Sequence, residues 1–359
     1  MSPAVREFVR EDLEVSPEFP TLLMQYEGYF AQLAAEGNIG LRGLERIIWL
    51  PRLKQAAGDI LSVIHRNLKA DSHVGFAAEV FSTFAHFFVV NSNPHEGMSL
   101  AERVLNRIHE VGDLPQLLEI EAIDALGRLQ TAAGFYPKAE INLKYVFPFW
   151  QSGDYVREIA RCANNLAICC DRQGRFDEST MYYEVALQGF YKLNERRAYA
   201  QSLQNMAYRL RIINKWNEAH DLIKQACEIV TVEFPSEPIT AKFLYDYAEV
   251  LYVLGNDKAM HVIKDIMKIL ENGQDTLRLA NSAMLAGLLV KRNKNYSHIN
   301  GDVLLLCGWS ISKSITDEPS FVTQIQSEIN TCISEMRLKE IPVFSEKDLE
   351  LIRMQILTL

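Results

Sequence analysis

The chain has 359 residues, of which 48% are hydrophobic and 23% are charged, the balance of a folded soluble protein. Its formal net charge of −9 argues against a nucleic-acid-binding surface, because that affinity comes from Lys and Arg side chains that displace phosphate counterions. We therefore predict no nucleic-acid partner.

Residues 1–73 are predicted to form a helical N-terminal cap. Apolar residues recur here at three-and-four spacing, which is the pattern of amphipathic helices. Gly37 and Gly40 predict a break, and Pro51 predicts the start of a new helix. The predicted helices are residues 17–36, 41–50 and 51–68. None shares the register of the repeats that follow, and a repeat array needs such a cap to cover its first apolar face.

Residues 74–315 are predicted to be an array of five to six helical hairpins, clearest over 117–270. A small residue recurs every 40 positions, at Ala139, Ser179, Ala219 and Ala259. Aromatic residues recur at the same 40-residue step, at Tyr136, Phe176, Trp216 and Tyr296. At the intermediate position of this series the residue is Asn256. A period of this size is typical of stacked helical hairpins. The predicted hairpins are 117–133 with 136–146, 156–172 with 176–193, 198–213 with 216–232, 239–254 with 257–270, and 276–292 with 301–315.

Small residues are also predicted where the two helices of a hairpin cross. Helices approach to about 8–10 Å only where one of them presents a small side chain. On the first helices these residues are Gly127, Ala167, Ala207, Ala248 and Gly287. The segment 74–90 is apolar on all sides, which predicts burial between neighbouring helices.

Residues 316–359 are predicted to be C-terminal capping helices, over 321–337 and 345–359. Ser345 and Asp348 approximate a capping box at the start of the last helix. That helix ends in Leu-Thr-Leu without a charged tail. It is therefore predicted to pack, either on the last hairpin or on another subunit.

This pattern of small and aromatic residues resembles the tetratricopeptide family. Leu126-Gly127 and Leu166-Ala167 match its Leu-Gly pair, Ala139 matches its later Ala, and Tyr183 matches its later aromatic residue. The resemblance implies an all-α fold, a right-handed α-solenoid of TPR-like helical hairpins with helical N- and C-terminal caps. The period of 40 exceeds the family's usual 34, and such long repeats are similar to those of bacterial intracellular peptide-pheromone receptors and of the kinesin light chain type.

The resemblance also implies a binding surface, because the first helix of each hairpin lines the concave face in that family. An Asn or Gln there can donate to and accept from a peptide group at once, and Tyr adds rigid contact area. The alternatives are that Asn165 and Asn205 bond a neighbouring helix end, and that the arginines, with Arg161, are solvated surface. The candidate partner-binding residues are Asp124, Arg128, Asn164, Asn165, Ile168, Arg172, Gln204, Asn205, Tyr208, Arg211, Tyr245, Asp246, Glu249 and Tyr252.

No catalytic, metal or cofactor motif is found in the sequence. There is no Gly-rich phosphate loop, no H-E-x-x-H and no G-x-S-x-G. The six cysteines show neither a C-x-x-C pair nor a Cys/His ligand spacing, and are interpreted as buried hydrophobic residues in a reducing compartment. The N-terminus lacks an apolar core of signal-peptide length. We predict a cytoplasmic protein with no cofactor, no metal and no membrane partner.

The sequence therefore predicts a binding protein and not an enzyme. The leading hypothesis is a TPR-type adaptor or regulatory receptor that binds a short peptide or an extended protein segment on its concave face. The alternative is a structural scaffold subunit that assembles a multiprotein complex, or a homo-oligomer through its C-terminal helix, without sensing a small peptide.

Overall fold

The computed structural model describes residues 16–235, 237–271, 275–293, 300–315, 322–336 and 342–358. Over these residues the chain is helical and contains no strand, so the predicted all-α class is confirmed. The described part holds sixteen α-helices, here named α1 to α16. The chain divides into two compact units, Met1–Ala198 and Tyr199–Leu359, which are described separately.

The first unit is a set of antiparallel helical pairs around an apolar core. One part of its core is Phe81, Phe84 and Phe88, all buried, and the rings of Phe84 and Phe88 meet edge to face with centroids 5.4 Å apart. Another part surrounds Trp150. The helices are α1 (Phe19–Gly40), α2 (Arg46–Asn67), α3 (Val74–Val90), α4 (Pro94–Val111), α5 (Gln116–Ala132), α6 (Tyr136–Gln151), α7 (Val156–Arg172) and α8 (Phe176–Lys192).

Helix α3 is the core helix of this unit. Within the described residues, Asp71–Val90 is the one helical stretch that is long and apolar enough to cross a membrane by length and composition. In the structure it packs against α1, α2, α4 and α5. Burial of Val74, Phe81 and Phe84 among these helices agrees with the prediction that the apolar segment lies between neighbours.

The predicted division of the cap into three helices is wrong, because two long helices, α1 and α2, occupy the place of the three. Gly37 and Gly40 lie inside α1 and serve packing: a Cβ on Gly37 would lie 2.7 Å from Leu53 Cδ1, and one on Gly40 would lie 2.0 Å from Trp49 Cδ1. Pro51 lies inside α2, near its start. The two glycines therefore let α2 pack closely against α1, and they do not end α1 as predicted.

The predicted end of α6 before Pro148 is also wrong. The helix continues through this proline to Gln151. Its extension buries Trp150, which is 1% exposed and belongs to the core around Leu143. Burial of such a large apolar side chain offsets the backbone hydrogen bond that a proline removes.

The second unit continues the series of hairpins. Its best-buried helix is α13, where all residues from Leu279 to Val290 are buried. Met284 and Leu288 pack with Leu305 and Trp309 of α14. The helices are α9 (Arg196–Ile212), which begins just before the unit boundary, α10 (Trp216–Glu233), α11 (Pro238–Val253), α12 (Lys258–Ile269), α13 (Thr276–Arg292), α14 (Gly301–Ile315), α15 (Val322–Glu335) and α16 (Glu346–Thr358).

Helix α16 begins with the predicted capping box. Ser345 N donates to Asp348 Oδ2 over 2.7 Å, and Asp348 N is 3.4 Å from Ser345 Oγ. Of the two predicted ways to pack, the structure has the first, because α16 contacts α12, α13 and α14 of its own unit. Arg353 is buried there and donates from Nη1 to the Met267 carbonyl over 3.2 Å.

The small residues predicted at helix crossings are buried. Ala139, Ser179, Ala219 and Ala259 are all fully buried. A Cβ on Gly127 would lie 2.8 Å from Leu143 Cγ, within the same hairpin. The aromatic residue predicted at Tyr296 lies outside the described residues.

The turns inside the hairpins repeat at the same 40-residue step. A residue with left-handed backbone follows the first helix at Gly134, Gly174 and Asn214, and one position later at Gly255. After it, an N–H bonds the carbonyl five residues earlier, as in Arg175 N to Cys170 O over 2.9 Å. This is the Schellman motif, which satisfies carbonyls at the helix end and favours Gly or Asn at that position.

Replacement of Gly174 by alanine is expected to lower the free energy of unfolding by about 1 kcal/mol. The reason is the backbone alone, because φ is +76° and no atom lies within 4 Å of the added Cβ. Gly174→Asn should cost less, since asparagine tolerates this conformation at Asn214. Urea unfolding of both variants measures the difference, and equal costs for Ala and Asn would contradict the account.

Candidate functional site

Asp124 lies at the centre of a polar cluster on the first helices of the first unit. Its Oδ2 accepts from Arg128 Nε over 2.9 Å on α5 and from Arg161 Nη2 over 3.1 Å on α7. The residue is 1% exposed and its Oδ1 has no hydrogen-bond partner. One buried carboxylate therefore links two successive first helices and carries an acceptor that is left unused.

Arg42, in the turn after α1, and His86 of α3 interact electrostatically with the arginines of this cluster. Arg42 Nη2 donates to Asn38 Oδ1 over 3.0 Å in the turn after α1. Burial, together with Arg161 and Arg128, lowers the pKa of Arg42 to about 9. Burial and the same arginines hold the pKa of His86 well below its usual value, so its imidazole is neutral at pH 7. We call Arg42, Arg128 and Arg161 the arginine cluster, with Asp124 as its internal counterion.

The other predicted residues of α7 lie beside this cluster. Asn165 Nδ2 donates to the Arg161 carbonyl one turn earlier over 2.8 Å, so its amide bonds its own helix and not a neighbouring helix end. Asn164 and Ile168 are half-buried and Arg172 is exposed. Asn165 thus leaves its side-chain oxygen on the same helix face as the cluster.

Four predicted residues form a second network in the second unit. Arg211 of α9 pairs with Asp246 and Glu249 of α11, with Nη1 3.2 Å from Asp246 Oδ1. Gln204 Nε2 donates to Asp246 Oδ2. Tyr245 is buried nearby and its hydroxyl has no hydrogen-bond partner. We call Gln204, Arg211, Asp246 and Glu249 the acidic network, because two carboxylates face one guanidinium.

Glu249 is a group of this network whose pKa lies near neutral pH. Burial raises its pKa and Asp246 adds to the rise, while Arg211 lowers it, and the result is a pKa of about 7. The carboxyl is therefore close to half-protonated near neutral pH. A carboxyl in this condition can donate or accept a hydrogen bond according to pH.

The pH dependence of stability is expected to reveal this titration. The folded pKa of about 7 exceeds the value of 4.5 for an unperturbed glutamate, so the native chain binds more protons between these values. The contribution of Glu249 to the unfolding free energy is therefore greatest below pH 4.5 and falls as pH rises to 7. Relative to Glu249→Gln, the wild type should lose on the order of 2 kcal/mol over this range. If the unfolding free energies of the wild type and of Glu249→Gln changed equally with pH, the raised pKa of Glu249 would be contradicted.

The remaining predicted residues contact other groups. Asn205 Oδ1 is 3.3 Å from Gln201 Nε2 on its own helix. Tyr208 is 42% exposed, and the Arg211 guanidinium lies 5.8 Å from its ring centroid. Tyr252 packs instead with the C-terminal core, where Arg292 lies 4.8 Å over its ring.

The sequence prediction did not include Arg42, His86 or Arg161 among the site residues. Solvated surface was the alternative weighed for Arg161, which stands 40 residues after Glu121 and 40 before Gln201. This 40-residue spacing of polar residues could have indicated that Arg161 belongs with the predicted site residues. Arg42 and His86 belong to helices outside the clear repeats, and no sequence spacing relates them to Asp124.

One group on the first unit has the atoms of a metal site. Ligand atoms of Glu140, Cys170 and Glu178 lie within 4.8 Å of one another, among the described residues. Both carboxylates already pair with Lys144 and Arg175. Burial raises the pKa of the Cys170 thiol to about 12, so a metal would have to displace two cations and a proton. We assign no ion to this group.

These hairpins define the chain as a tetratricopeptide-like helical repeat protein, as the resemblance implied. Residues 158–231 match the tetratricopeptide repeat family model. No curated protein matches the sequence.

Several solved structures are similar to the chain in fold. The apo form of the quorum sensor NprR from B. thuringiensis is 14% identical, with 98% of this chain and 92% of that chain covered and a TM-score of 0.60. A Rap protein complexed with competence and sporulation factor is 11% identical, with 92% and 99% covered and a TM-score of 0.56. A Rap conjugation gene regulator of plasmid pLS20, in complex with the Phr* peptide, is 13% identical, with 88% and 98% covered and a TM-score of 0.52. At these identities the likeness is one of fold.

Proposed function

We propose that this chain is a peptide-binding regulator or adaptor, which binds a short peptide or an extended protein segment on the first helices of its hairpins. The observation that carries the proposal is the polarity of those helices. Asp124, Arg161, Tyr245 and Arg211 each hold a buried polar atom without a hydrogen-bond partner. Buried polar groups are usually paired, so unpaired ones on the first helices of each unit favour a ligand there.

The chemistry of these residues favours a peptide over an apolar ligand. Amide, guanidinium and carboxylate groups alternate with an exposed tyrosine, Tyr208. A peptide offers one N–H and one C=O per residue, and such side chains bond both. The similar Rap and pLS20 structures contain a competence and sporulation factor and a Phr* peptide, respectively, which supports the same class of ligand here.

A cytoplasmic location is part of the proposal. All six cysteines are buried free thiols. Burial raises the pKa values of Cys162, Cys170 and Cys227, which keeps these thiols protonated and unreactive. Thiols of this kind suit a reducing compartment.

Selection from a library of short random peptides tests the function. We expect the full chain to retain a subset, identified by mass spectrometry after gel filtration. The variant Asn165→Ala, Asn205→Ala, Tyr208→Ala should bind that subset on the order of 10- to 100-fold more weakly, because it loses amide and aromatic contacts while its helices stay intact.

The matched control places the same side-chain types on second helices. Asn106→Ala, Tyr145→Ala and Gln188→Ala alter exposed residues of α4, α6 and α8. This control should bind like the wild type. An equal loss in both variants, or no peptide retained by the wild type, would refute the proposed surface.

The alternative function, a scaffold subunit, has one observation in its favour. Leu351 and Met354 are 64% and 52% exposed on the outer side of α16. If this helix joins copies of the chain, Leu351→Ser with Met354→Ser should lower the mass measured by light scattering. Deletion of α16 is a poor test, because Leu349 and Ile352 belong to the core.

A further inference from the structure

Lys291, Asp302 and Cys332 meet where α15 packs on the last hairpin of the second unit. The Lys291 ammonium donates to Cys332 Sγ over 3.1 Å, and the thiol donates to Asp302 Oδ1 over 3.0 Å. Lys291 Nζ also lies 2.7 Å from the same Asp302 oxygen. Nitrogen, oxygen and sulfur atoms from α13, α14 and α15 therefore form one triangle, in which an amine and a thiol are in direct contact.

The chemistry of this contact differs from that at two other cysteines of the chain. Cys162 donates to the Leu143 carbonyl over 3.5 Å, and Cys169 lies 3.6 Å from the Thr131 hydroxyl. Neither neighbour is an amine. A lysine nitrogen becomes a nucleophile once it loses its proton, and nitrogen condenses with an oxidised cysteine sulfur. Oxidation of Cys332 can therefore lead to a bond with its neighbour.

The sulfur of Cys332 lies just beneath the surface of the second unit. The residue itself is buried, but the side chains of Lys291 and Asp302 are 23% and 24% exposed. Glu328, 3.8 Å from Lys291 Nζ, is 48% exposed. Because lysine has a long and flexible stem, a movement of the Lys291 side chain is enough to admit a small oxidant such as hydrogen peroxide.

Asp302 supplies the base that this thiol needs. Burial raises the pKa of Cys332 to about 11 and Asp302 adds to the rise, while Lys291 lowers it, so the thiol is protonated at pH 7. Burial also raises the pKa of Asp302, but its bonds with Cys332 and Lys291 outweigh this effect and hold that pKa below its usual value. The ionised carboxylate can accept the thiol proton as the sulfur attacks an oxidant.

We propose that Cys332 and Lys291 form a redox-sensitive crosslink site, at which peroxide joins α15 to α13 through a covalent bond between sulfur and nitrogen. In the first step the thiol sulfur takes one oxygen from hydrogen peroxide, the O–O bond breaks, and a sulfenic acid and water form. In the second step the Lys291 nitrogen attacks this sulfur, so that the N–S bond forms and the S–O bond breaks. The ammonium loses two protons: one leaves with the hydroxyl as water, and the other goes to solvent.

The crosslink is reversible under reducing conditions. Two molecules of a small thiol cleave the N–S bond, become one disulfide, and restore the Cys332 thiol and the Lys291 amine. Oxidation therefore holds α15 on α13, and a reductant releases it. This behaviour suits a compartment in which thiols are normally kept reduced.

Peptide mapping of the full chain after hydrogen peroxide treatment tests the crosslink. Trypsin should release residues 279–292 joined to residues 314–337, with a mass two hydrogen atoms below the sum of the separate peptides. Dithiothreitol, added before digestion, should remove this species. A joined pair with one further oxygen, which a second peroxide adds, also supports the crosslink. The oxidised chain should unfold at a higher urea concentration than the reduced chain, because a crosslink restricts the unfolded state.

Variants assign the joined pair to these two residues. Lys291→Arg and, separately, Cys332→Ser should abolish it. Arginine keeps a positive charge beside Asp302, but its guanidinium stays protonated and does not attack sulfur. Lys313→Arg is the matched control in α14 and should leave the joined pair unchanged. The wild-type map decides the question even if a variant fails to fold.

Two results overturn the crosslink. The first is Cys332 recovered only as a thiol, sulfinic acid or sulfonic acid, in a sample whose Met181 has become the sulfoxide. Met181 is 68% exposed, so its oxidation shows that the dose of peroxide was sufficient. The second is a joined pair that persists in Lys291→Arg, which would assign the bond to another nitrogen.

Discussion

Asp124→Ala is expected to lower the free energy of unfolding by about 3–5 kcal/mol. The carboxylate is buried and pairs with both Arg128 and Arg161. Its loss leaves two guanidinium groups, one of them also buried, without a counterion. Removing one partner of a buried ion pair costs more than removing the whole pair, because the remaining charge stays desolvated.

Two comparisons give this measurement its control. Asp71 also pairs with an arginine, Arg107, but its side chain is 80% exposed, so Asp71→Ala should cost less than about 1 kcal/mol. The double variant Asp124→Leu, Arg128→Met should recover part of the loss. If Asp124→Ala and Asp71→Ala lost the same unfolding free energy in urea, the cluster around Asp124 would be well solvated.

Gly287→Ala is expected to destabilise the second unit by about 3 kcal/mol or more. An added Cβ would lie 2.6 Å from Leu305 N and 2.7 Å from Gly301 O. These are backbone atoms of α14, so a side-chain rotation cannot relieve the contact and the helices must separate. The expected result is a lower unfolding midpoint in urea.

The matched control is Gly58→Ala in α2. No atom lies within 4 Å of a Cβ at this position. Alanine should therefore stabilise the helix by up to about 1 kcal/mol, since glycine is the poorer helix former. If both substitutions shift the midpoint in the same direction, close packing at Gly287 is not what sets the α13–α14 distance.

The sequence predicted the hairpins because their determinants are local and repeated. Small residues at fixed steps, such as Ala139 and Ala219, mark helix crossings, and Gly134 and Gly174 mark turns. Each signal acts within one hairpin, so its period survives in the sequence. The boundaries predicted for the cap, the array and the C-terminal helices stay a prediction.

The errors arose where distant packing outweighs a local rule. Gly37 and Gly40 read as helix breakers, yet they make room for Leu53 and Trp49. Pro148 read as a helix end, yet burial of Trp150 carries α6 past it. In both cases tertiary packing decides where the helix ends, and the local sequence pattern does not show that packing.

The candidate site was predictable in part for the same reason. Gln204, Arg211, Asp246 and Glu249 came from repeat positions, and the structure brings them together. Arg42 comes from the cap, where no repeat register applies. Its electrostatic interaction with Arg128 and Arg161 depends on how α1 and α2 pack against the first hairpins, which single-sequence spacing does not encode.

Hydrogen exchange with a retained peptide tests the central claim most directly. A bound peptide should slow amide exchange in first helices, α5 and α7 of one unit or α9 and α11 of the other. Exchange in the second helices α6, α8 and α10 should stay unchanged. Protection confined to second helices, or to α16, would contradict the account.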